Sequence, residues 1–129
     1  MNMKEIIGKL SSLIAIQEGY LGQANIPWKQ RNPGDLIWAP SGTQTPDGKF
    51  AFTLHSEGWA AHEALVANAL SGQHAQYPAA MSWAAFSQTW TGSAWPNPWG
   101  IGICHALTVD PQSRVADWVA YNLTQPAAN

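Results

Sequence analysis

The stretch MKEIIGKLSSLIAIQEGY, residues 3–20, decides the architecture. Ile6, Leu10, Leu13, Ile14 and Gln17 recur at helical spacing and Ile7 and Ile16 widen the same face, so residues 3 to 18 are expected to form one amphipathic helix. Gly19 ends it. Glu18 then falls in the last turn, where the helix dipole favours cations and opposes a carboxylate. A glutamate serving only the helix would sit more comfortably near its start.

Downstream of this helix, Pro27, Pro33, Pro40 and Pro46 alternate with Gly22, Gly34, Gly42 and Gly48, which is turn and loop chemistry. A loop this long within a compact domain is functional or disordered, and Ile26, Trp28, Ile37 and Trp38 argue for order. We read it as one wall of a cleft. The Asp47-Gly48 turn leads into Lys49–His55, which alternates as a short strand and is expected to pair with Leu36–Trp38.

Ser56 is expected to cap a second helix carrying Trp59, His62, Leu65, Val66, Ala69 and Leu70, with Gly72 as its stop. Ser82 opens a third through Trp90, Asn97-Pro98 a fourth, and Asp110-Pro111 a fifth. No internal repeat is evident. The expected fold class is mainly α (α+β), with about five helices and one small β-hairpin after the first helix, in a single domain over residues 1–129.

Hydrophobic residues make up 46% of the chain and charged ones 11%, a composition that excludes disorder. Six Lys and Arg against eight Asp and Glu leave a net charge of -2, which argues against nucleic acid and anionic membranes as partners. Cys104 is the one cysteine, so no internal disulfide and no thiolate metal site are expected, and a small buried hydrophobe is its expected role. His55, His62, His74 and His105 lack metal-ligand spacing, and neither a nucleophile elbow nor a phosphate loop occurs, so no metal and no cofactor are expected.

The eight Trp are the outstanding feature of the composition. Indoles fill cores, and they also stack on sugar rings, so an aromatic cleft with few charges suits a neutral polymer such as a glycan.

A helix ending in Gln17-Glu18-Gly19-Tyr20, a turn Arg31-Asn32-Pro33-Gly34-Asp35-Leu36, a Phe-containing strand and Ser56-Glu57-Gly58-Trp59 entering a helix together resemble phage and prophage lysozyme-like muralytic proteins. Trp83-x-x-Phe86-x-x-x-Trp90 and Leu107-Thr108-Val109-Asp110-Pro111 are similar to the closing helices of that family, so the resemblance spans nearly the whole chain. It implies a lysozyme-like fold and cleavage of peptidoglycan glycan strands, as a lysozyme or a lytic transglycosylase, with Glu18 as the catalytic acid. The candidate substrate-binding residues are Tyr20, Asn32, Asp35, Ser56 and Trp99. Two departures are noted: Gln30-Arg31-Asn32 shortens the family's run of Asn before Pro-Gly, and Trp99 stands where a Tyr near the catalytic carboxyl is expected.

Glycosidic cleavage needs an un-ionised carboxyl within reach of the leaving oxygen. A helix C-terminus and apolar neighbours such as Tyr20, Trp28 and Trp38 would raise the pKa of Glu18 toward that state. Asp35 and Glu57 are the candidates for a second carboxylate, although turn formation and the helix dipole give each a structural role as well. A separation of roughly 5 to 5.5 Å from the acid implies retention, and roughly 6.5 to 9.5 Å implies inversion. If neither faces Glu18, transglycosylation by Glu18 alone follows.

Asn32 and Ser56 are hydrogen-bonding candidates for acetamido or hydroxyl groups, with turn formation and capping as their alternative roles. The alternative function is a non-catalytic glycan-binding or virion structural module of the same shape. The N-terminal segment has neither an uninterrupted signal-peptide core nor a membrane-length run. We therefore expect a monomer made in the cytoplasm without its own signal peptide, acting in the periplasm or cell wall or as part of a phage particle, with no membrane insertion.

Overall fold

The computed structural model describes residues 1–22, 24–39 and 41–126. Among these are six helices: α1 (Met3–Gln17), α2 (Ile26–Lys29), α3 (His55–Leu70), α4 (Trp83–Thr91), α5 (Pro98–Leu107) and α6 (Val115–Leu123). One antiparallel pair, β1 (Thr43–Gln44) and β2 (Phe50–Ala51), lies between α2 and α3. The chain divides into two compact units, one spanning Leu10–Val66 and the other combining Met1–Lys9 with Ala67–Asn129.

α1 starts with a reciprocal cap, in which Glu5 N donates to Asn2 Oδ1 at 2.9 Å and Asn2 N to Glu5 Oε1 at 3.1 Å. Ile6, Leu10 and Ile14, four residues apart, are each fully buried, contributing on the order of 2 kcal/mol apiece. The expected face is narrower than its periodicity suggests: Ile16 is half exposed and Gln17 lies in solvent.

In the Leu10–Val66 unit, the strand expected over 49–55 shrinks to Phe50–Ala51. Its partner is Thr43–Gln44 rather than Leu36–Trp38, with Thr43 opposite Ala51 and Gln44 opposite Phe50. The tight Thr45–Gly48 turn brings the nearer segment into register first, through Thr45 N to Lys49 O (2.8 Å) and Gly48 N to Thr45 O (2.9 Å). The segment at Leu36 supplies a single bond, accepting from Phe50 N at 3.0 Å.

α3 begins at His55, one residue before the expected cap. The Leu54 carbonyl accepts from both Glu57 N and Gly58 N at 3.2 Å, which leaves Ser56 exposed inside the first turn. α2 occupies a stretch expected as loop, with Pro27 in its first turn where a missing N–H costs nothing.

The other unit follows its capping signals closely. Ser82 Oγ accepts from Ala85 N at 3.1 Å, and α4 closes on Gly92 in the left-handed region. Asn97 Oδ1 accepts from Gly100 N at 2.7 Å to open α5. A Cβ on Gly100 would lie 2.6 Å from Ser87 Oγ, so α4 and α5 approach where only glycine fits.

The expected fifth start is displaced. Asp110-Pro111 makes a turn, with Gln112 N donating to Asp110 Oδ1 at 2.8 Å, and α6 starts at Val115. Trp83 and Trp118 meet edge to face at 5.5 Å, while Phe86, Trp90 and Trp99 lie nearly parallel with centroids 6.0 to 6.4 Å apart. Of the eight Trp, Trp83, Trp99 and Trp118 are buried and Trp38 is 68% exposed.

Candidate functional site

The end of α1 is a Schellman turn with Glu18 as its C-cap. Glu18 N bonds Ile14 O at 2.9 Å, Gly19 N bonds Ile16 O at 3.0 Å, and Tyr20 N reaches back to Ala15 O at 3.0 Å. Gly19 takes φ +79°, which a side chain would strain. Asn25 Nδ2 donates to the Gly19 carbonyl at 3.0 Å and locks the following loop against the helix end. Glu18 itself is half-buried.

Glu18 lines a concavity of about 490 Å³, together with Asn25, Pro27, Asp35, Asp47 and Lys49. This brings the sequence's first candidate, Glu18, and one of its two candidate second carboxylates, Asp35, onto one groove. Glu57 is not among the lining residues.

Asp47 is committed to its own turn, because Thr45 Oγ1 and Lys49 N donate to its Oδ1 and Gln30 Nε2 donates to Oδ2 at 3.1 Å. Those bonds, the Thr45 hydroxyl foremost and then the Lys49 N–H, hold its carboxyl below the usual aspartate range. Asp35 makes an ion pair, with Lys49 Nζ 3.0 Å from Oδ2.

The turn carrying Asp35 is fixed from several sides. Asn32 is fully buried, its Nδ2 donating to Leu36 O (3.0 Å) and Phe50 O (2.9 Å) while its Oδ1 accepts from Leu36 N (2.9 Å). A Cβ on Gly34 would lie 2.4 Å from His62 Nδ1, and one on Gly58 would lie 1.7 Å from the Arg31 carbonyl oxygen, so α3 presses directly on this turn. His62 is fully buried with Nε2 2.8 Å from Ser11 O, and burial pushes its pKa down to about 4. A carbonyl can only accept, so the neutral ring carries its proton on Nε2.

Tyr20 is buried in an aromatic cluster. Its hydroxyl bonds His55 Nδ1 at 2.5 Å, and Trp28 lies against His55 at 4.3 Å with the rings tilted by 38°, while Trp59 is edge-on to Tyr20 at 5.5 Å. Burial pushes the Tyr20 phenol up, so it stays protonated at neutral pH. Ser56 is exposed on the first turn of α3. Trp99 belongs to the other unit, packed on Phe86 and Trp90, and among the described residues its buried indole N–H meets no acceptor.

Sequence reasoning missed Lys49, Asp47 and Asn25 as groove residues. The Asp47-Gly48-Lys49 run carries a turn signal, but nothing in it indicates where the lysine reaches. That other unit has a second concavity of about 490 Å³, lined by Trp95, Ile101, Cys104, His105 and Val109 among others, with no carboxylate in its wall. Cys104 is buried there, its thiol pushed up by desolvation and by Asp110.

Among the described residues no cluster of three or more His, Cys, Asp or Glu offers a metal site, and no helix is long and apolar enough to cross a membrane. No family model, no curated protein and no solved structure matches the chain.

Proposed function

We propose that the protein cleaves the glycan strand of peptidoglycan, with Glu18 as general acid, on a lysozyme-like arrangement of helix, irregular wall, hairpin and helix. The observation that carries this reading is the location of Glu18 at the C-cap of α1, facing the same groove as the Asp35–Lys49 pair. Cleavage requires a carboxyl that can give up a proton to the departing sugar oxygen. A helix C-terminus opposes an anion at this place, and the half-buried setting keeps bulk water partly away.

The groove wall offers Asn25, Asp35 and Lys49 to hydroxyl and acetamido groups, Asp47 being engaged by its own turn. Trp38, 68% exposed between the buried Leu36 and Ala39, offers a flat apolar face of the kind that packs against a sugar ring. The same chemistry suits a glycan and gives no basic stripe for nucleic acid.

Mass spectrometry of fragments released from purified peptidoglycan tests the reading. Wild-type protein should release muropeptides, and Glu18→Gln, folded to the same melting temperature, should release about 100-fold fewer or less. Equal release by the variant removes Glu18 from the chemistry. Binding without release by the wild type leaves a glycan-binding module.

A further inference from the structure

The last helix carries a separate cluster of polar chemistry, inside the unit formed by Met1–Lys9 and Ala67–Asn129. Arg114, Trp118, Tyr121 and Asn122 fall at positions i, i+4, i+7 and i+8 along the cap and body of α6, so they share one face. With Lys9 of α1 they line a concavity of about 400 Å³, in the size range of sites that take small ligands.

Two side chains in this wall are more than nine-tenths buried and still hold an unused polar atom. Asn122 spends its Nδ2 on the Trp118 carbonyl at 2.8 Å, and among the described residues nothing donates to its Oδ1. Trp118 packs edge to face on Trp83, and among the described residues its indole N–H meets no acceptor. Neither atom is sealed in the core, unlike the indole N–H groups of Trp83 and Trp99. One donor and one acceptor, a helical turn apart, complement a secondary amide, whose carbonyl accepts and whose N–H donates.

The charges of the wall add a further demand. Arg114 is tied to Asp117, with Nη2 3.0 Å from Oδ1 and Nε 3.3 Å from Oδ2, whereas Lys9 is exposed and makes no ion pair among the described residues. The uncompensated charge is therefore positive and suits a carboxylate, which a neutral acetamido sugar does not supply.

We propose that this concavity binds a short peptide with a free carboxylate, its amide on Trp118 Nε1 and Asn122 Oδ1, its carboxylate on Lys9, and the exposed ring of Tyr121 against one of its side chains. Resting on the reading of peptidoglycan as the substrate, that peptide is the stem carried by the glycan strand, so the protein grips peptidoglycan by its peptide as well as by its sugars.

The test is a titration of the 15N-labelled full chain with the free stem tetrapeptide, followed in 1H–15N spectra. The Trp118 indole cross-peak is assigned by its loss in Trp118→Phe, a change that keeps an aromatic ring in the core and removes the donor. The peptide should move this cross-peak saturably in wild type, and Trp118→Phe should bind it about tenfold more weakly, read on the remaining shifts. Amidation of the peptide carboxylates and Lys9→Gln should each weaken binding about threefold, and the two together no more than either alone.

No saturable shift, equal affinity for the amidated peptide in wild type, or tighter binding of an N-acetylglucosamine tetramer than of the peptide would overturn the site while leaving the role of Glu18 standing. Saturable peptide binding by a protein that releases no muropeptides would support the site and remove Glu18 from the chemistry.

Discussion

Acid should loosen this protein through His62. The ring is fully buried against the Ser11 carbonyl, and burial lowers its pKa from the ordinary 6.5 to about 4. The unfolded chain therefore binds a proton that the folded chain refuses between those two values. Stability from this site is fully present above pH 6.5 and is lost as pH falls toward 4.

The full difference corresponds to about 3 kcal/mol, of which about 2 kcal/mol is lost between pH 7.5 and pH 5. Against a total of roughly 5–15 kcal/mol for a domain, that is a large share. Urea unfolding at both pH values, on wild type and on His62→Gln, isolates the term. The glutamine amide can still donate to Ser11 O, and the other titrating groups are common to both proteins. Wild type should lose about 2 kcal/mol more than the variant; equal losses would refute the reasoning.

Other substitutions probe the turn and an exposed indole. Gly58→Ala puts a methyl 1.7 Å from the Arg31 carbonyl oxygen, so a loss of at least about 3 kcal/mol is expected, read as a fall of about 10 °C in Tm. Asn32→Ala removes three hydrogen bonds, two of them buried, and strands the Leu36 N–H, which should cost about 3 kcal/mol in chemical unfolding. Trp38→Ala should leave the melting temperature within about 2 °C, because the side chain is 68% exposed, yet weaken glycan-oligomer binding about tenfold in calorimetric titration.

What could be read from the sequence was mostly local. The end of α1 lies within one residue of its expected place because Gly19 supplies the left-handed cap, and the Ser82 and Asn97 starts are caps closed by neighbours three residues away. The hairpin partner was misread because alternation around Phe50 is compatible with pairing on either Thr43–Gln44 or Leu36, and the short Thr45–Gly48 turn decides between them. Asp110-Pro111 has the composition of a helix start but completes a turn before α6.

At the groove, Glu18 and Asp35 stand out by residue type and place in the chain. The Asp35–Lys49 pair does not, because it joins a left-handed turn to a strand start 14 residues away. Nor does a sequence indicate that Asn32 spends its whole side chain on backbone groups.

The most direct test of Glu18 as general acid compares leaving groups. Wild type and Glu18→Gln would be assayed on one glycan oligomer carrying either a sugar or a 2,4-dinitrophenyl leaving group. A sugar alkoxide needs the proton and a dinitrophenolate does not, so the variant should lose about 10²–10⁴-fold on the first and stay near wild type on the second. An equal loss on both substrates, or no loss on either, would contradict the assignment.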